Sequence, residues 1–196
     1  GLRLNKGADC EKFKFVYDRM LYEVKEKNII VYDVPCLDIE LCIFCGQAFR
    51  WKKNKDGSFH GIVEGKVTDI IQAEDKIIFR NTSENDFENL WKDYFDFDSD
   101  YENYCKILSV DENIKKACDE YYGIRILHQE PWEALCSFIF SQNNNIPRIT
   151  GIIKRFCESF GKHEYEIERY YDQGLMWQSF RSALFVSDDK SFIEGI

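Results

Sequence analysis

The turns between the short apolar runs of residues 47–81 leave little choice of topology. Four segments rich in β-branched and aromatic residues, QAFRWKK, FHGIVEG, KVTDIIQ and DKIIFRN, are punctuated by Asn54-Lys55-Asp56-Gly57, Glu64-Gly65 and Ala73-Glu74-Asp75. A parallel neighbour needs a crossover of roughly a dozen residues or more, which such turns cannot supply, so the runs form an antiparallel meander. The whole stretch 29–81 reads as strand. Alternation at Phe49/Trp51 and Ile62/Glu64 gives the sheet one wet face and one that packs on helices.

After Asn81 the period changes. Thr82-Ser83-Glu84 opens a helix whose buried face is Phe87, Leu90, Trp91 and Tyr94. Residues 100–108 and 111–122 read as two further short helices. Pro131 suits the first turn of another, and Trp132, Leu135, Cys136, Phe138, Ile139 and Phe140 leave that helix apolar almost all round, which implies burial. The next repeats Ile149, Ile152, Ile153, Phe156, Cys157 and Phe160 with a clean helical period and is closed by Gly161. Its opposite face carries Arg148, Lys154 and Arg155. The fold class is α+β: an antiparallel sheet lobe followed by a helical lobe. The two are expected to form one folded unit, since Trp91, Trp132 and Phe138 would otherwise be exposed.

With 196 residues, 44% hydrophobic and 16% aromatic, the chain can bury a sizeable core. No run of about eighteen apolar residues exists, so no membrane span is expected. Residues 1–19 mix charges without an apolar stretch and are not a secretory signal; they read as an extension before Met20, the first methionine. The eight cysteines then read as cytosolic thiols. Cys42 and Cys45 form a Cys-x-x-Cys pair, but zinc needs a second pair at suitable spacing. The favoured reading is packing, with no metal; a metal-bound interaction domain on Cys36, Cys42 and Cys45 is the competing one.

A net charge of −9 looks wrong for a nucleic-acid binder, yet it is unevenly spread. Residues 84–122 hold twelve acids against four lysines, whereas residues 142–163 hold Arg148, Lys154, Arg155 and Lys162 against Glu158 alone. The positive stretch begins at SQNNNIPRI, in the turn between two helices. Asn145 or Asn144 can cap the second helix, and another asparagine can take the left-handed conformation a short turn requires. That accounts for two amides. The third, exposed beside Arg148, offers the two donors and one acceptor that suit the edge of an unpaired base; a merely polar turn is the alternative.

Two stretches together resemble the 8-oxoguanine DNA glycosylases of the helix-hairpin-helix superfamily. One is Cys45-Gly46-Gln47-Ala48-Phe49-Arg50-Trp51; the other runs from Gln129-Glu130-Pro131-Trp132-Glu133 through Ser137-Phe138-Ile139 to Asn143-Asn144-Asn145-Ile146-Pro147-Arg148-Ile149-Thr150-Gly151. The likeness covers roughly residues 21–161. It implies an antiparallel, TBP-like sheet part over 20–82, a helical part over 83–161, and base-excision repair of 8-oxoguanine. The partner it implies is duplex DNA carrying the oxidised guanine opposite cytosine, bound by a monomer without cofactor in a bacterial cytoplasm. Oxidation at C8 turns N7 of guanine into an N–H donor. The resemblance makes the Gly46 carbonyl its acceptor, and a backbone can approach a ligand that closely only where no Cβ intervenes; a β-bulge glycine is the structural alternative. The damaged nucleotide is flipped out of the duplex. By the same match Asn143 fills the gap and, with Arg148, bonds the widowed cytosine. Asn145, Lys154 and Arg155 complete the expected DNA surface, and Phe49, Arg50 and Trp51 are mainly structural.

The resemblance also implies a nucleophilic lysine after a glycine hairpin and an aspartate further on. Residues 162–196 contain no Gly-x-Gly turn followed by lysine, and Lys162 and Lys190 lie in the wrong context. No catalytic residue is therefore assigned, and the tail 162–196 reads as unlike the family. The expectation is the front part of a glycosylase/AP lyase, truncated before the helix-hairpin-helix. A non-catalytic damaged-DNA-binding module or inactive fragment is the alternative.

Overall fold

The computed structural model describes residues 13–16 and 20–160. Gly161, Lys162, Lys190, the tail 162–196 and most of the extension 1–19 lie outside the described residues. Seven antiparallel strands form one sheet in the order β1-β2-β3-β7-β6-β5-β4. They are β1 (Phe13–Val16), β2 (Met20–Lys25), β3 (Asn28–Tyr32), β4 (Trp51–Lys53), β5 (Phe59–Val63), β6 (Lys66–Gln72) and β7 (Lys76–Arg80). The chain leaves β3, lays β4 at the far edge, and meanders back until β7 pairs with β3. The short turns of residues 54–75 thus build the antiparallel meander expected. β1 pairs with β2 and adds a strand inside the segment read as an extension.

The stretch 29–81 is not all strand. Helix α1 (Ile39–Phe44) interrupts it, capped by Asp38, whose carboxylate accepts from the Leu41 N–H at 2.9 Å. Its buried residues Ile39, Cys42 and Ile43 stand at i, i+3 and i+4, a helical stripe. QAFRWKK accordingly shrinks to the three residues of β4, because 45–50 are spent leaving the helix.

One sheet face is the core. Register sets Tyr22 beside Val31 and Val31 beside Ile77, and in the next row Ile29 beside Phe79 and Phe79 beside Ile70. Tyr22, Ile29, Val31, Ile70, Ile77 and Phe79 are all buried. Each such aliphatic or phenyl side chain contributes about 1.5–3 kcal/mol of burial. A helix capped by Ser83 is closed by the same pattern: α2 (Glu84–Asp86), a π-helical turn Phe87–Trp91, and α3 (Lys92–Tyr94). It buries Phe87, Trp91 and Tyr94 as read from the sequence, while Leu90 is half-buried. The Phe79 ring lies 5.4 Å from Phe87, 6.0 Å from Phe95 and 6.2 Å from Trp91 between centroids. Trp51 joins this cluster through Trp91, and its indole N–H donates to the Tyr94 hydroxyl at 3.0 Å. Gly61 is obligatory beneath it, since a Cβ there would stand 2.2 Å from the Trp51 ring.

Helices α4 (Tyr101–Leu108) and α5 (Glu112–Glu120) are capped by Asp100 and Asp111. Helix α6 (Pro131–Ser141) begins with Pro131 in its first turn, and the Glu130 carboxylate accepts from the Glu133 N–H. Helix α7 spans Ile146–Phe160. Two compact units result among the described residues: those up to 61 with 67–128, and 62–66 with 129–160. Burial of α6 is corrected. Only Cys136 and Ser137 are buried, whereas Leu135, Phe138 and Ile139 are 48%, 65% and 57% exposed. An all-round apolar helix needs cover on every side, and among the described residues α7 supplies one, with Phe140 against Phe156. No described helix is long and apolar enough to cross a membrane.

Candidate nucleic-acid interface

The three asparagines divide the labour of the α6–α7 turn. Asn143 takes the left-handed conformation, at φ 55°, which asparagine tolerates better than most residues with a Cβ. The Asn144 amide donates back to the Phe140 and Gln142 carbonyls at 2.9 and 3.1 Å, closing the end of α6. The Asn145 carboxamide oxygen accepts from the Arg148 N–H at 3.0 Å and caps α7, while its own carbonyl accepts from Ile149 N–H. Asn144 and Asn145 therefore spend their amides on helix ends. Asn143 is exposed, and its amide has no hydrogen bond to a described residue.

Helix α7 continues from this turn with its apolar side inward: Ile149 and Ile153 are buried, whereas Arg148, Lys154 and Arg155 are exposed. Arg148 and Arg155, seven residues apart, stand about 10 Å apart along one face. Neither is ion-paired with a described residue. The turn and the helix bring Asn143, Asn145, Arg148, Lys154 and Arg155 together on one unit.

Gly46 belongs to the other unit. It follows the last turn of α1, where the Cys45 N–H returns to the Leu41 carbonyl at 3.2 Å, and has φ 98°. It is thus a helix-ending glycine rather than a β-bulge in a strand. Gln47 next to it was given no role in the sequence reading, yet it bonds at both ends of its amide. Its Nε2 donates to the Arg125 carbonyl at 2.8 Å, and its Oε1 accepts from the Leu127 N–H at 3.0 Å. Arg125, also missed, is 4% exposed. Its guanidinium donates to the Pro35, Cys36 and Asp96 carbonyls at 2.8–2.9 Å and lies over the Tyr101 ring at 4.9 Å. Burial lowers its pKa from the ordinary guanidinium value. A lone arginine in GIRILHQ carries no signal of this; a buried charge becomes visible only with the carbonyls that surround it.

Cys42 is engaged in packing. Its thiol accepts from the Arg125 N–H at 3.1 Å and donates to the Gly123 carbonyl at 3.4 Å, and burial raises its pKa to about 12. Cys45 is exposed. Among the described residues, no group of three or more His, Cys, Asp or Glu could hold a metal ion. Trp51 and Arg50 are both buried, Phe49 half-buried.

The profile of the 8-oxoguanine DNA glycosylase N-terminal domain matches residues 29–135, more than half of the chain. The chain belongs to the 8-oxoguanine DNA glycosylase family. It is 32% identical over 166 residues to an N-glycosylase/DNA lyase of Saccharomyces cerevisiae, covering 74% of this chain and 42% of that protein. Two solved structures share its fold at TM-score 0.70. One is MBOgg1 in complex with a low-affinity DNA ligand, 38% identical over 75% of this chain and 51% of that one. The other is the Clostridium acetobutylicum 8-oxoguanine glycosylase/lyase in complex with double-stranded DNA containing cytosine opposite 8-oxoguanine. It is 37% identical over 79% of this chain and 52% of that one. The chain thus spans about half or less of these glycosylase-family relatives, and the matched family segment contains Gly46, Gln47 and Arg125.

Proposed function

We propose that this chain recognises 8-oxoguanine opposite cytosine in duplex DNA, as the front part of a base-excision glycosylase/AP lyase. In this reading the Gly46 carbonyl accepts from the N7–H of the flipped lesion. Asn143 enters the gap and bonds the opposite cytosine together with Arg148, and Asn145 caps the helix whose Lys154 and Arg155 lie along the phosphates. The chain acts as a monomer, without cofactor, on DNA in a bacterial cytoplasm. Its likeness to the Clostridium acetobutylicum enzyme, solved on DNA with cytosine opposite 8-oxoguanine, favours this substrate.

The observation that carries the reading is the division of labour in the asparagine turn. Two amides are consumed by helix ends, and the third, on a left-handed residue, is exposed and without a partner among the described residues. The turn uses the Asn143 backbone and leaves its amide available to a ligand. Bond breaking is assigned to no residue, because no hairpin lysine stands in residues 162–196.

The test is fluorescence anisotropy with duplexes bearing 8-oxoguanine or guanine opposite cytosine, paired with borohydride trapping. Tighter binding of the lesion duplex without a covalent adduct is expected. Equal affinity for the two duplexes sinks the recognition role. A trapped adduct sinks the assignment of chemistry elsewhere and redirects attention to Lys162 and Lys190.

A further inference from the structure

The Gly46 carbonyl belongs to the peptide that joins Gly46 to Gln47, and discrimination by a carbonyl depends on which way that peptide faces. Turned over, the same peptide presents the Gln47 N–H, which suits the N7 acceptor of ordinary guanine instead of the N7–H of the lesion. Glycine at φ 98° leaves the plane free to rotate on its near side. Among the described residues nothing donates to the Gly46 carbonyl and nothing accepts from the Gln47 N–H. No main-chain hydrogen bond to a described residue holds this plane.

The Gln47 side chain does hold the far side. Its amide spans the Arg125 carbonyl and the Leu127 N–H as the main chain of a parallel strand opposite Ile126 would. The segment it grips is anchored at every N–H. Ile124 donates to the Tyr121 carbonyl, Arg125 to the Cys42 thiol, Ile126 to the Tyr101 hydroxyl, Leu127 to Gln47, and His128 to the Tyr94 carbonyl. The Arg125 guanidinium ties the same segment to three main-chain carbonyls at 2.8–2.9 Å. A side chain bonded twice to so fixed a segment holds the Cα–Cβ bond of residue 47 in place, and turning the peptide over would have to swing φ about that held centre. That Cα is one end of the peptide in question; the capped end of α1 is the other.

We infer that Gln47 is a specificity-positioning residue, whose side-chain amide keeps the Gly46 carbonyl, rather than the Gln47 N–H, facing the base pocket. The inference rests on Gly46 being the N7 reader proposed above.

The experiment measures affinity for duplexes carrying 8-oxoguanine or guanine opposite cytosine, for the wild-type chain, Gln47→Ala and Gln47→Glu. Glutamate keeps the bond from Leu127 N–H but sets a carboxylate against the Arg125 carbonyl, so it tests the same contact with little loss of volume. Both variants are expected to lose about tenfold in the ratio of the two affinities, the scale of one buried polar contact. Binding of the guanine duplex should move by less than about twofold, since phosphate contacts govern it. Nitrogen-15 relaxation dispersion supplies a readout without DNA. The residue-47 amide should be quiet in the wild type and in exchange in both variants, with the rest of the spectrum unmoved. A wild type that prefers the lesion, with variants that keep the preference and stay quiet, overturns the positioning role alone. A wild type without preference overturns the Gly46 reading and this inference with it. Should Gln47→Ala fail to fold, Gln47→Glu decides between these outcomes.

Discussion

Asn143 and Asn145 are two residues apart and should fail in different assays. Alanine at 143 would confound the test, because φ 55° strains any residue with a Cβ and no local amide. Asn143→Gly keeps the backbone and removes only the amide. We expect it to leave thermal stability nearly unchanged and to cost about 1–3 kcal/mol in preference for cytosine over adenine opposite the lesion. Asn145→Ala removes the cap on α7 and should lower stability by about 1 kcal/mol without changing that preference. Anisotropy titrations and thermal melts of the two variants separate the roles. A preserved cytosine preference in Asn143→Gly would return Asn143 to being a turn residue. The turn was legible in part: a cap and a left-handed residue follow from three asparagines between two helical patterns. The left-handed residue and the exposed amide, expected on different asparagines, fall together on Asn143, while Asn144 closes α6. Which asparagine did which was not legible, because neighbouring asparagines offer identical chemistry until the helix ends are fixed. Gln47 and Arg125 were illegible for a different reason: their partners are carbonyls and N–H groups, which every residue has.

At the scale of the element, α7 carries the electrostatics. With Lys154 and Arg155 on phosphates and the charge of Arg148 beside the duplex, log K against log salt should have a slope near −3. Arg155→Ala should lower its magnitude by about one without altering base preference. A slope near zero removes this face from consideration as a DNA surface. The helix also contains a testable weak point. Gly151 sits in its interior, where a Cβ would meet only the far end of the Arg155 side chain, at 3.4 Å. Gly151→Ala should therefore stabilise the chain by about 0.5–1 kcal/mol, read from denaturant midpoints. The periodicity of α7 was plain because one apolar stripe faces inward. The same reasoning failed for α6, where composition reports that a surface wants cover and says nothing of whether it has it. Helix α1 escaped because Ile39, Cys42 and Ile43 lie within a helix only six residues long, mostly apolar and short enough to pass for strand.

For the molecule as a whole, the alkaline side is the vulnerable one. The Cys42 thiol is raised from 9.0 to about 12, by burial. Tyr32 and Tyr101 are raised from 10.0 to about 12, by burial first and then by their carboxylate partners Glu23 and Asp96. In each case the folded pKa exceeds the unfolded one, so the neutral form is what folding favours. The resulting stability is complete below about pH 9 and is lost progressively between pH 9 and 12. Asp56 acts in the opposite sense. Bonds from Ser58 and then Arg80 hold its carboxylate down to about 2, so its contribution is full above pH 3.8 and fades towards pH 2. Melting temperature should thus be flat around neutrality and fall steeply above pH 9. Cys42→Ala should flatten the first part of that fall even though it lowers the plateau. An unchanged slope would mean that Cys42 does not set the alkaline limit.

The close contact of Trp51 with Trp91 has an optical consequence. Two indoles 6.2 Å apart and inclined by 68° form a chiral pair of chromophores whose excited states mix. The folded protein should therefore carry a dichroic couplet in the strong far-ultraviolet indole band that Trp51→Phe abolishes, with Trp91 still buried. Because both indoles belong to the sheet-bearing unit and Trp132 to the other, that couplet reports the melting of one unit in the presence of the other, with no label added.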